Sequence, residues 1–252
     1  MTFCENIHFN QENSIMSTSS TGSPSVLDNL LKTAAGFQAS CVLAAAAEWD
    51  LFTAVIDQRN SATAETLATQ LEADKRALTV LLDALAALGF LEKNTQHCYS
   101  VPEQYLAYFD SRVSTTVIPM LHHQGCCNRS WTQIAAVLKS GEFAKRPPSI
   151  RGQEADYVAF ILAMNSIART IVEPLCQKMK ENGVFDLGKK AFRFLDVGGA
   201  SGTYTLAILK HFPESNGVIF DLPVAINEAK KRFAGTEYES RLTFVEGDFY
   251  ND

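Results

Sequence analysis

The stretch that decides the fold runs from Phe192 to Phe249, FRFLDVGGASGTYTLAILKHFPESNGVIFDLPVAINEAKKRFAGTEYESRLTFVEGDF. FRFLDVGG is a mostly apolar run ending in glycines, the texture of a strand buried on both faces. GTYTLAILKHF has helical spacing, NGVIFDLP reads as a second buried strand, VAINEAKKRFA as an amphipathic helix and RLTFVEGDF as a third strand. Strands alternating with helices across short turns predict parallel pairing, because each crossover helix returns the chain to the same edge. Right-handed crossovers then set the spatial order third, second, first, the mononucleotide-binding half of a doubly wound α/β sheet.

Ligands of such sheets bind beyond the carboxyl ends of the strands, so the residues there carry the chemistry. Asp196-Val197-Gly198-Gly199-Ala200-Ser201-Gly202 occupies the first strand-to-helix turn, where backbone N–H groups and missing side chains admit a ligand close to the main chain. The dinucleotide fingerprint G-x-G-x-x-G cannot be laid on it, since Ala200 stands two places after Gly198 and Ser201 two places after Gly199. Nicotinamide chemistry is thereby disfavoured. Asp221, followed by Leu222, ends the second strand, where a carboxylate can accept from both ribose hydroxyls of a nucleoside. Asp248 ends the third, placed to accept from an adenine amino group while Phe249 covers the ring. A turn or a cap could explain any one of these residues alone. Their joint position at three adjacent strand ends predicts one crevice. Glu214, Glu228, Lys230, Lys231 and Arg232 read as solvated charges.

Upstream the texture is helical. Residues 1–25 end in STSSTGSPS and predict a flexible tail. From Val26 to Glu48 the apolar residues recur at helical spacing on more than one face, as in a helix shared with a partner subunit or buried inside the fold. A short helix (Ala64 to Leu71), a turn (Glu72 to Asp74), a longer helix (Lys75 to Leu88) stopped by Gly89, and strand-like runs at Phe90 to Glu92 and Cys98 to Val101 together describe a winged helix. Further helices are expected at Glu103 to Phe109, at Val113 to Ser140 with a bend or restart at Pro119, and at Glu154 to Asn182 around Pro174. The predicted organisation is a tail (1–25), a winged-helix-like domain (26–150), a helical connection (151–190) and the α/β domain (191–252).

Composition narrows the function classes. Apolar residues at 46% and charged residues at 20% describe a globular chain. The most apolar run, Ala39 to Ala47, is interrupted by Glu48 and Asp50, so no membrane span is expected. The formal charge of -6 and the Ala- and Leu-rich second helix of the winged element argue against a nucleic-acid partner. No secretory leader is readable, and six irregularly spaced cysteines read as reduced thiols, which together predict a cytoplasmic protein. His122 with Cys126 and His123 with Cys127 have the i,i+4 spacing of metal ligands, but neighbouring helix residues point about 100° apart, so the four cannot converge and no metal site is expected.

The run D-x-G-x-(G/A)-x-G resembles motif I of class I S-adenosylmethionine-dependent methyltransferases. With FDLP and GDFY downstream it is similar to the plant and bacterial small-molecule O-methyltransferases, the group of caffeate, hydroxyneurosporene and acetylserotonin methyltransferases. The resemblance spans about residues 26–252 and is most specific over the C-terminal α/β stretch. It implies a winged-helix-like N-terminal domain that makes a homodimer, S-adenosyl-L-methionine as cofactor and a small hydroxylated acceptor, aromatic, polyketide-like or isoprenoid. It also implies that Gly198, Gly199 and Gly202, preceded by Asp196, hold the methionine portion, Asp221 and Leu222 the ribose, and Asp248 and Phe249 the adenine. Ala200 replaces the usual glycine, which a residue of negative φ would tolerate. The family's catalytic base is a histidine beyond the fourth strand, in a stretch resembling L-H-D-W, so no catalytic residue is assigned within this sequence. Three strands of a sheet that needs about six or seven predict a fragment or a truncated relative. A non-catalytic winged-helix dimerisation or regulatory protein with an incomplete cofactor domain is the alternative.

Overall fold

A computed structural model describes residues 25–183 and 191–251. The expected tail, apart from Ser25, and residues 184–190 of the expected connection lie outside the described residues. The chain divides into two compact units, Met1–Phe37 and Gln38–Asp252.

In the first unit, Ser25 caps helix α1 (Val26–Ala35): its side chain accepts from the Asp28 N–H while the Asp28 carboxylate accepts from the Ser25 N–H. Helix α2 (Phe37–Glu48) belongs, but for Phe37, to the second unit. The helical run expected over Val26 to Glu48 is present as these two segments, and Gly36 between them keeps helical backbone (φ -58°, ψ -25°) with its N–H turned to the Thr33 carbonyl at 3.2 Å.

The second unit carries the winged-helix-like element. Helix α3 (Leu51–Gln58), absent from the sequence reading, buries Leu51, Phe52 and Val55. It escaped because Leu51 to Ile56 is apolar nearly all round and shows no amphipathic stripe. Helices α4 (Ala64–Leu71) and α5 (Lys75–Ala87) follow the predicted bounds, since their caps, Thr63 and Asp74, are local hydrogen-bonding devices. Gly89, at φ 78°, ends the second. Strands β1 (Glu92–Lys93) and β2 (Tyr99–Ser100) pair antiparallel as the wing. Tyr99 is buried and donates its hydroxyl to Asp83 at 2.7 Å, which ties the wing to α5. One core joins Leu51, Phe52, Leu67, Leu82, Leu85 and Tyr99.

Helix α6 (Glu103–Phe109) matches expectation. The long helix expected over Val113 to Ser140 is instead α7 (Ile118–Trp131), with Pro119 in its first turn, and α8 (Ile134–Ser140). The interruption lies at Gln133, whose side-chain amide donates to the Arg129 and Lys145 carbonyls, both at 2.7 Å, and so fastens the following loop. Helix α9 (Gln153–Glu181) packs against α7 and against the helices Thr203–His211 and Pro223–Phe233, and buries Ile161, Ala168, Val172 and Cys176 along one stripe.

Strands β3 (Arg193–Val197), β4 (Asn216–Asp221) and β5 (Leu242–Glu246) form a parallel sheet in the predicted order, with Leu195 opposite Val218 and Phe220 opposite Val245. Helices α10 (Thr203–His211) and α11 (Pro223–Phe233) are the crossovers. Ile219, Ile226, Ala229 and Phe233 form the core beneath the sheet. Two helical stretches, Val26–Glu48 and Gln153–Glu181, are long and apolar enough by length and composition to cross a bilayer, contrary to the expectation from uncharged runs. Core helices of globular proteins share that composition.

Candidate active site at the glycine turn

The sheet brings the three predicted strand ends side by side. The Gly198 N–H donates to the Phe220 carbonyl at 2.8 Å and the Gly247 N–H to the Asp221 carbonyl at 3.0 Å, so the loops after β3, β4 and β5 begin in register. Asp221 reaches back to the turn: its Oδ2 accepts from the Ala200 N–H at 2.8 Å and its Oδ1 from the Leu222 N–H at 2.7 Å. A carboxylate has about four lone-pair sites, so two remain for a diol. Phe249 is exposed, and its ring edge lies 4.0 Å from where a Cβ on Gly198 would stand. Asp248 is turned toward its own loop, accepting from the Tyr250 N–H at 3.0 Å and the Asn251 amide at 2.7 Å. Leu222 lies exposed beside Asp221.

The glycines of the turn serve different ends. Gly198 has φ 71°, and apart from the Phe249 ring edge nothing approaches the position of its absent side chain. A Cβ on Gly199 would meet Asp196 Cγ and Ile219 Cγ2 at 2.9 Å, and one on Gly202, at φ 77°, would meet the Phe233 ring at 2.6 Å. Those two are glycine because the chain packs tightly on the sheet. Ala200 departs from expectation: its φ is 49°, in the left-handed region rather than the negative one. The Asp221 carboxylate fixes its N–H there, and the methyl group bears the strain.

Asp196 accepts from the Thr205 hydroxyl at 2.6 Å and braces the turn from below. Burial pushes its carboxyl above the usual range, Thr205 opposes the shift, and the nearby Asp221 adds to it. Sequence reasoning missed a second layer behind the turn. Asn165 on α9 accepts from Ser201 at 2.8 Å and from Thr203, and Arg232 on α11 donates to the Thr203 hydroxyl at 2.7 Å. Arg232 is therefore not a solvated charge. Its spacing within KKR carried no signal, because only the crossover of α11 brings it under the turn.

The His/Cys motif resolves into two places. His122 is buried, with Nε2 at 2.8 Å from Asp156 Oδ1 and 3.3 Å from the Ser149 hydroxyl. Although His122, Cys126 and Asp156 present atoms within 4.8 Å of one another, Arg129 occupies the cluster: it donates to Cys126 Sγ at 3.1 Å and to Glu48 at 2.5 Å, and lies 3.7 Å from Asp156. Burial, with Asp156 next, pushes the Cys126 thiol up to about 11. The Arg129 guanidinium supplies positive charge beside the Cys126 and Asp156 atoms, so the cluster is held together by hydrogen bonds and an ion pair. His123 instead faces Phe160, with ring centroids 5.1 Å apart, and Cys127 Sγ at 3.5 Å. In the winged element Lys75 pairs with Glu65 and Lys93 with Asp83.

A parallel sheet with a glycine turn and acids at its next strand ends, behind a helical winged-helix-like domain, is the architecture of a class I methyltransferase. Two family models match, an O-methyltransferase domain over residues 154–252 and an O-methyltransferase dimerisation domain over residues 31–117. The chain belongs to this O-methyltransferase family. O-methyltransferase SfmM3 of Streptomyces lavendulae is 24% identical over 190 residues, 74% of this chain and 56% of that protein. Acetylserotonin O-methyltransferase of Homo sapiens is 25% identical over 228 residues, 86% of this chain and 65% of that protein. The crystal structure of human N-acetylserotonin methyltransferase in complex with SAM shares the fold at a TM-score of 0.68 and 22% identity, covering 94% of this chain and 69% of that one. This chain thus spans less than two thirds of the length of both curated relatives.

Proposed function

We propose that the protein is an S-adenosyl-L-methionine-dependent O-methyltransferase acting on a hydroxyl of a small aromatic, polyketide-like or isoprenoid molecule. The observation that carries the reading is the convergence of Gly198, Asp221 and Phe249 on one crevice in a chain of this family. The residues fit the cofactor: Asp221 retains two acceptor sites for ribose hydroxyls, Leu222 and Phe249 offer apolar cover for ribose and adenine, and Asp248 stands at the adenine end. Gly198, Gly199 and Gly202, with Asp196 bracing them, keep the main chain bare for the methionine portion. When bound, the cofactor supplies a methyl group on a sulfonium centre. The protein's part is alignment of the acceptor oxygen behind that carbon and exclusion of water.

We assign the winged-helix-like domain (26–150) to homodimer formation, consistent with the dimerisation model over residues 31–117, residues 151–190 to the connection and 191–252 to cofactor binding. A cytoplasmic site of action agrees with free thiols at all five described cysteines. Calorimetric titration with S-adenosylhomocysteine tests the reading. Asp221→Asn should weaken binding by about 1.5–3 kcal/mol through loss of charge-assisted hydrogen bonds, and unchanged affinity would place the nucleoside elsewhere.

A further inference from the structure

Helix α8 buries none of its residues, and the loop after it is nearly as open. Leu138 is 82% exposed, Trp131 just before the helix 70%, and Phe143 just after it fully. Ile134, one turn before Leu138 on the same face, and Ile150 are exposed as well. The segment is nonetheless held in shape. The Gln133 side chain donates to the Lys145 carbonyl at 2.7 Å and accepts from the Lys145 N–H at 3.1 Å, while Arg129 Nε donates to the Pro147 carbonyl at 3.2 Å. These bonds fold the loop back, so that residues 143–147 lie beside residues 131–134.

Charge on this segment runs against that of the chain. Over residues 134–152 Lys139, Lys145, Arg146 and Arg151 stand against one acid, Glu142, whereas the whole chain has a formal charge of -6. All four cations are exposed, and none makes an ion pair among the described residues. The next acids along the chain are turned elsewhere: Glu154 acts on Lys231 of α11, and Asp156 is held by Ser149 and His122. Bulky apolar side chains fixed in water among unpaired cations match an apolar layer bounded by negative charge, the surface of a bilayer with anionic headgroups. A second copy of the chain matches them less well, because a two-fold contact sets the patch against itself and brings like charges together. A nucleic-acid duplex would meet the cations but leave Leu138 and Phe143 in water.

We propose that α8 and the loop after it form a peripheral docking surface for membranes rich in anionic phospholipid, with Trp131, Leu138 and Phe143 entering the headgroup layer. The inference stands apart from the S-adenosyl reading. Its test floats the 252-residue chain with vesicles of phosphatidylcholine alone and of equal parts phosphatidylcholine and phosphatidylserine. A cation near an anionic surface strengthens binding about fivefold, so the mixed vesicles should be bound at least about tenfold more tightly. About 1 M sodium chloride, where charges are screened within about 3 Å, should remove the difference. The chain has two tryptophans; in Trp49→Phe the emission of the remaining Trp131 should move to shorter wavelength on binding. Leu138→Ser with Phe143→Ser, and Lys139→Gln with Lys145→Gln, should each cut partitioning at least about tenfold. Their Tm should not move, since all four side chains are exposed. No binding to either vesicle, equal binding to both, or binding that survives the Leu138 and Phe143 exchanges would overturn the proposal, the last because charge alone would then hold the chain. If the unaltered chain ignores vesicles, a dimer lost in the Leu138 and Phe143 double variant would assign the face to a second copy, and salt-dependent retention on DNA would assign it to nucleic acid; either result overturns it as well.

Discussion

Replacing Ala200 by glycine should stabilise the protein, against the usual direction for glycine. Ala200 sits at φ 49° with its N–H held by Asp221 at 2.8 Å, so neither neighbour lets it relax to negative φ. A left-handed conformation costs an L-residue about 1–2 kcal/mol that glycine does not incur. Against this, glycine frees the unfolded chain by about 0.4–1 kcal/mol. The net gain is about 0.5–1 kcal/mol, and at about 2–4 °C per kcal/mol for chains of this size Tm should rise by about 1–4 °C. Differential scanning calorimetry with a parallel urea titration measures it, the urea slope serving to show that the unfolded state has not changed. Ala200→Val should move Tm the other way, because a β-branched residue bears left-handed φ worst. A fall in Tm for Ala200→Gly, or a rise for Ala200→Val, would refute the strain argument.

Other tests separate the parts of the site. Gly199→Ala should destabilise by about 1–3 kcal/mol through overpacking against Asp196 and Ile219, whereas Gly198→Ala should cost about 1–2 kcal/mol from φ alone and also weaken S-adenosylhomocysteine binding; calorimetry on both variants distinguishes the roles. Asp196 has a raised pKa, so its contribution to stability is fully present below its ordinary value of 3.8 and is lost as pH rises through the raised one. Asp196→Asn, which still accepts from Thr205, should remove that loss, and urea midpoints measured from pH 4 upward should run flatter than for the unaltered chain. Arg241 donates to the Ser215 carbonyl at 2.9 Å and to the Phe212 and Leu209 carbonyls at 3.0 and 3.2 Å, closing the C-terminal end of α10. Arg241→Ala should cost about 2–3 kcal/mol, because bonds to a charged donor are lost and half-buried carbonyls are left open; an unshifted urea midpoint would contradict this.

What was legible in the sequence was legible for local reasons. The bounds of α4, α5 and α6 follow caps and stops a few residues away, Thr63, Asp74 and Gly89 among them, and the β3–β4–β5 order follows from crossover handedness. The interruptions at Gly36 and Gln133 are not legible because a periodic apolar pattern continues across both. Helix α3 was missed because burial on all faces erases periodicity. At the site, the position of Asp221 at a strand end was readable, but not that it would bind the Ala200 N–H.

The amino-acid sequence by itself determined a winged-helix-like domain before a parallel α/β half-sheet, the glycine turn with acids at the following strand ends, and the resemblance that the family models bear out. Those features depend on residue type and spacing along the chain. Tertiary structure alone decided the backbone sign at Ala200, the closure of the His122 and Cys126 cluster by Arg129, and the turning of Arg232 under the turn. Each depends on groups far apart in sequence, Asp221 with Ala200, Glu48 with Arg129 and Asn165 with Arg232, whose meeting is set by packing of whole elements. A charge in a helical run reads as solvated until the crossover that buries it is known.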